Sequence, residues 1–219
     1  MQRTMIIAPA EGETAGAIAS VAASAGWRVV PVALPPRRGE TLGEDHARTD
    51  RLVWNPASFV SAGTLALTAG KTLGTVDTVV ILSSPVDADR SLFGGSPGSI
   101  GAALEASVHG PAFLTREMLR LFDGQRSGKL LLVSVEPLPE GEGGRDAFAS
   151  LVSGAFRGLG EGIFERGKAA PWTAFGIVEK SGKPTTVAEF ALRLLDDPKA
   201  SKSGRWVPFN GKAGLFGMF

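Results

Sequence analysis

Three side chains of this 219-residue chain are of a type and placement to exchange a proton with a bound molecule: Ser134, His109 and Glu136. Ser134 closes the apolar run Leu130 to Val133, Glu136 lies two residues beyond it, and His109 falls in a stretch with helical spacing. Proton exchange at a substrate oxygen needs such a group together with a nearby cation that brings its pKa toward neutrality. Arg145, Arg157 and Lys168 follow Ser134 and are the cations available for that task. A phenol is excluded, because the chain has no tyrosine. The absence of cysteine removes thiol nucleophiles, disulfides and Cys-zinc sites together. A single histidine on a helix reads first as a packing or surface residue.

The bulk properties bound the class of protein. With 43% hydrophobic and 21% charged residues, the sequence reads as one ordinary α/β domain, residues 1–219, large enough to bury a core. A net charge of +1 provides no field for nucleic acid or an anionic membrane. The first nine residues make no signal peptide, and no run of about eighteen apolar residues exists. The expectation is a soluble, cytoplasmic protein with no metal site.

The elements that must position these groups follow from alternating apolar runs and helical spacing. Thr4 to Ala8 is a short strand, Ala15 to Ala25 a helix stopped by Gly26, and Val29 to Leu34 a strand ended by Pro35 and Pro36. This βαβ opening predicts a Rossmann-like, doubly wound parallel sheet of about seven strands with helices on both faces. Further strands are predicted at 52–54, 79–82, 130–133 and 174–178, a last strand and turn at 204–211, and helices at 58–72, 100–122, 146–166 and 185–196. Pro111 is expected to kink the helix over 100–122, and a Thr185 cap to start the last one. Residues 212–219 form an apolar tail of the kind that seeks a partner surface.

The order of parts from residue 4 to 212 resembles the short-chain dehydrogenase/reductase family. In that family a Ser at the end of the fifth strand precedes a Tyr-x-x-x-Lys pair on the next helix, and an Asn on the fourth helix completes the set. Ser134 matches the Ser, Phe148 falls at the Tyr, Val152 at the Lys and Ser107 at the Asn. The family's Gly-x-x-x-Gly-x-Gly turn falls on Pro9, Glu13 and Ala15, while Gly12 and Gly16 sit between the required places. Pro9 removes a backbone donor, and Glu11 and Glu13 bring negative charge to the place where a pyrophosphate would sit. Asn55 stands where the family keeps an Asp near the adenine, Ser84–Pro85 replaces its Asn-Asn-Ala-Gly turn, and the segment 179–184 leaves no room for its substrate lid.

What the resemblance implies is a divergent member of the family, without cofactor, acting as a non-catalytic structural or supporting subunit of a homo- or hetero-oligomeric dehydrogenase/reductase. Its partner would be a second copy or an active relative, engaged through helices 100–122 and 146–166. The alternative is an NAD(P)-dependent oxidoreductase with an atypical proton donor (Ser134, His109 or Glu136), in which Arg37 and Arg38 read the 2′-phosphate of NADP. A residual cleft near Gly12, Ser84 and Ser134 would suit a small ligand in a third reading.

Overall fold

The computed structural model describes residues 2–35, 52–83, 94–136, 147–197 and 204–211. Strands β1 (Thr4–Ala8), β2 (Arg28–Ala33), β3 (Leu52–Val53), β4 (Thr78–Ser83), β5 (Lys129–Val135), β6 (Thr173–Glu179) and β7 (Trp206–Phe209) form one sheet in the order β3-β2-β1-β4-β5-β6-β7. Every pairing is parallel. The helices are α1 (Glu13–Ser24), α2 (Phe59–Leu73), α3 (Pro97–Leu104), α4 (Gly110–Gln125), α5 (Ala147–Gly167) and α6 (Pro184–Asp196). This is the doubly wound sheet that the βαβ opening predicts. The sheet order reverses direction beside β1, and a fold of this kind binds its ligands outside the carboxyl ends of the strands at such a point.

Strand side chains alternate between two apolar layers. Ile6, Val79, Leu130 and Leu132 face α2, α4 and α5, where Leu65, Leu114, Met118, Phe122 and Phe156 cover them. Met5, Ile7, Val80, Leu131, Val133 and Phe175 face α1 and α6, against Ile18, Ala22, Val187, Ala191 and Leu195. Both faces are covered, which is why the strands read as continuous apolar runs rather than alternating ones.

Trp206 of β7 locks α5 to the sheet edge. Its indole lies against Gly160 of α5 and Gly176 of β6 so closely that a Cβ at either would fall inside the ring. The indole N–H donates to the Arg157 carbonyl at 3.0 Å. Phe156 and Phe164 pack on the same ring, the latter edge-on.

Three local expectations are corrected. The last helix begins at Pro184, not Thr185, with Lys183 at the N-cap and no side-chain cap bond; proline's fixed φ suits the first helical position, where its missing amide costs no helical bond. The chain is helical from Pro97 to Gln125, and its irregularity is a π turn, Glu105–His109, that ends just before Gly110 and Pro111. A proline lacks the amide that would bond back one turn, and a local change of pitch there accommodates it. Ser134 does not close β5 but lies within it, since the strand continues to Val135. The apolar tail 212–219 lies outside the described residues.

Candidate functional site

The carboxyl ends of β1 and β2 meet at the first loop. Gly12 is the N-cap of α1, with φ of 92°, a conformation that favours glycine, and no side chain caps the helix. The Ala10 amide donates to the Val32 carbonyl at 2.8 Å, and the Leu34 amide donates to Glu11 Oε1 at 2.8 Å. The loop is therefore tied to β2 by its own carboxylate. Glu13 adds a second acid in the first turn of α1. Both charges favour the helix dipole, and both repel a phosphate from the amides that would otherwise receive it. Arg37, Arg38 and Ser84 lie outside the described residues.

At the carboxyl end of β5, Ser134 is buried and paired in register with Ser83 of β4 and Val178 of β6. Phe148 and Val152, one turn apart on α5, are also buried, packed with Ala103 of α3 and flanked by Ile100, Leu104 and Val108. The two places where the family resemblance sets a phenol and an ammonium thus belong to a small apolar core. Ser107 sits half-buried in the π turn, on the segment that packs against α5. His109 is exposed, its ring 6.3 Å from that of Phe113. The fold brings positions 107, 148 and 152 into one neighbourhood.

A different set of charged groups gathers at the ends of β5 and β6. Glu136, buried at the strand end, has Oε1 3.6 Å from Arg157 Nη1 and Oε2 3.8 Å from Lys180 Nζ. Its amide donates to the Glu179 carbonyl at 2.9 Å. Glu179 is buried too, and its Oε1 accepts from the Ser181 amide and hydroxyl, both at 2.6 Å, and from the Gly182 amide at 2.9 Å. Three donors on one carboxylate oxygen close the β6–α6 connection into a tight turn. Glu136 and Arg157 were visible in the sequence as separate proton-transfer and cation candidates; Lys180 and Glu179 were not. Glu136 stands between two cations, one from α5 and one from the β6–α6 connection. Arg145 lies outside the described residues, and Lys168 pairs with Glu165 at 2.7 Å on the surface.

No family model and no curated protein matches the sequence. Solved structures do. The chain is similar to an oxidoreductase of the short-chain dehydrogenase/reductase family from Brucella ovis, in complex with a partially ordered NAD, with a TM-score of 0.74 and 14% identity over 96% of this chain and 100% of that one. A further solved structure of a short-chain dehydrogenase/reductase oxidoreductase from Brucella ovis gives 0.72 and 14% over 95% and 100%. A short-chain dehydrogenase from Streptomyces avermitilis gives 0.68 and 16% over 96% and 88%. At these identities the likeness establishes the fold: the chain has the Rossmann-like architecture of the short-chain dehydrogenases over nearly its whole length. Among the described residues no helix is long and apolar enough to cross a membrane, and no group of three or more His, Cys, Asp or Glu could hold a metal.

Proposed function

We propose that this chain is a non-catalytic protein of short-chain dehydrogenase fold, acting in the cytoplasm as a structural or supporting subunit of an oligomeric dehydrogenase/reductase. The observation that carries this reading is the buried apolar cluster of Phe148, Val152 and Ala103. A proton relay needs a titratable hydroxyl in contact with substrate, and a sealed hydrocarbon cluster supplies none. The Glu11 bond to the Leu34 amide supports it from the cofactor side, because it spends a carboxylate where a pyrophosphate would need positive potential. Pairing through α4 and α5 is supported by the outer surface of α5. Leu151 is 52% exposed there, and Gly154, Gly158 and Gly162, spaced by one turn, have open space where a Cβ would stand. Each glycine weakens the isolated helix by roughly 1 kcal/mol, a cost offset where another helix approaches closely.

A working NAD(P)-dependent oxidoreductase with an atypical donor is the second reading, favoured by the NAD bound to the Brucella ovis neighbour. Titration with NADH and NADPH, followed by thermal shift, separates the two. The supporting-subunit reading expects no shift with either nucleotide at about 1 mM, a concentration that would stabilise by over 2 kcal/mol at a Kd of 10 μM. Saturable micromolar binding would overturn it.

A further inference from the structure

The exposed apolar side chains of this protein are not scattered. Of the five large ones among the described residues, Val53, Phe59, Val60 and Leu67 lie on β3 and on α2, the helix that follows it, and Val60 and Leu67 are the most exposed of all, at 71% and 60%. Phe59 is turned toward α4, its ring edge-on to that of Phe113 at 5.6 Å. Val60, Thr64, Leu67 and Lys71 recur at helical spacing and form the outward stripe of α2, and all four are exposed. Lys71 is the only charged residue of the helix. The outward stripe of α6 shows what contact with water ordinarily selects: Thr185, Glu189, Arg193 and Asp196. An apolar stripe in that place is the mark of a helix with a second partner surface.

The stripe is complementary to itself. Val60 and Leu67 stand symmetrically about Gly63 and Thr64, and a Cβ on Gly63 would meet open space. A two-fold axis through that centre sets two copies of α2 antiparallel, with Val60 of each copy against Leu67 of the other. The small centre lets the two backbones approach closely, and antiparallel helices oppose their dipoles. The charges fit the same arrangement. The two Lys71 residues then lie about 22 Å apart along the helix axis, beyond the roughly 8 Å over which exposed charges act at physiological salt. No like charges meet across the stripe, and a net charge of +1 per chain adds little repulsion between copies.

We infer that the outward face of α2 is a self-association surface, covered by α2 of a second copy of this chain, antiparallel about Gly63 and Thr64. This pairing goes beyond the subunit role proposed above and does not rest on it, because it uses a helix outside the α4–α5 surface. Were both surfaces occupied, each copy would make two separate two-fold contacts. A single pair of helices stands at the small end of interface sizes, so the association is weak and depends on protein concentration.

The chain has no cysteine, so one introduced thiol reports the pairing. Thr64→Cys in the full chain, beside the axis, should form a disulfide between two copies under copper–phenanthroline oxidation, its counterpart falling near the roughly 4.4–6.8 Å Cα separation that a disulfide needs. Lys71→Cys, on the same stripe but about 22 Å from its counterpart, should crosslink at least tenfold more slowly. Val60→Glu and Leu67→Lys, each added to T64C, set a charge against an apolar side chain of the second copy, and each should suppress the crosslink. An equimolar mixture of the two should restore it, because the introduced carboxylate and ammonium then face each other. All four positions are exposed, so the fold should survive each change, as thermal unfolding checks. Crosslinking of T64C no faster than that of K71C would overturn the inference and leave the stripe to a different protein. Full crosslinking in V60E/T64C, or no recovery in the mixture, would overturn it too. The T64C crosslink should persist with Gly158→Leu, so failure of the α4–α5 pairing and failure of this one are told apart.

Discussion

Glu11 and Leu34, 23 residues apart in sequence, are joined by a 2.8 Å bond from the Leu34 amide to the Glu11 carboxylate. The bond crosses from the first β–α loop to the end of β2, over the ground that a dinucleotide's adenosine half occupies in a fold of this class. The first loop and the end of β2 are thus tied by a side chain of the chain itself. Replacing Glu11 by Ala should cost about 1 kcal/mol, the size of an exposed charge-assisted bond, measured as a lower urea midpoint with an unchanged slope. An E11A chain more stable than the parent would mean that the clamp is not made.

Restoring the catalytic pair in side-chain type should damage the protein rather than activate it. Phe148→Tyr puts a hydroxyl into the cluster of Val152, Ala103 and Ile100, at a cost of about 1–3 kcal/mol if the hydroxyl stays dry. Val152→Lys buries an ammonium there, and about 3–5 kcal/mol should be lost. Urea unfolding of the two variants checks the order, and dehydrogenase activity in F148Y/V152K would contradict it.

The ion cluster at the ends of β5 and β6 should respond asymmetrically. Arg157 and Lys180 are each 43% exposed, whereas the Glu136 side chain is 2% exposed. In Glu136→Gln the cations turn to water, and the loss should be about 1 kcal/mol. In R157A/K180A the buried carboxylate loses two cations, and about 3 kcal/mol should go. Equal losses would show that the carboxylate is compensated without these two cations.

The outer glycines of α5 give a test of pairing. Gly158→Leu removes the close approach and raises helix propensity, so the isolated chain should gain roughly 0.5–1 kcal/mol. Any complex formed through that face should dissociate. Sedimentation velocity reads the second effect and thermal unfolding the first. A complex that survives G158L would place the pairing surface elsewhere.

The indole of Trp206 predicts the steepest packing effect. Gly176→Ala pushes a methyl group into its ring from β6, and overpacking of this kind should cost about 1–3 kcal/mol. Trp206→Ala in the same background should relieve much of that added penalty, and a double-mutant cycle measures the coupling.

The doubly wound class of the sheet was readable because its buried strands announce themselves locally. Val79 to Leu82 and Leu130 to Val133 are buried on both faces, and glycines and prolines punctuate their ends. The apolar character of Phe148 and Val152 was readable as well, and the structure places both in a buried cluster. What could not be read depends on chain segments that meet only in space. Nothing about Glu11 in sequence points to the Leu34 amide, nor about Glu136 to Lys180, 44 residues on. The start of α6 was misplaced by one residue because a Thr after a Pro invites a cap reading, while the proline itself was the first helical residue.

The position of Trp206 also sets when this fold can be completed during synthesis. Gly160 and Gly176 are made well before residue 206, and until that residue leaves the ribosome the surfaces of α5 and β6 that it covers stay open to water. Strands β1 to β6 can pair by then, yet Phe156 and Phe164 lack the ring they pack on. The nascent chain therefore carries a sticky apolar flank until its last strand arrives, and that interval is when a chaperone would find it.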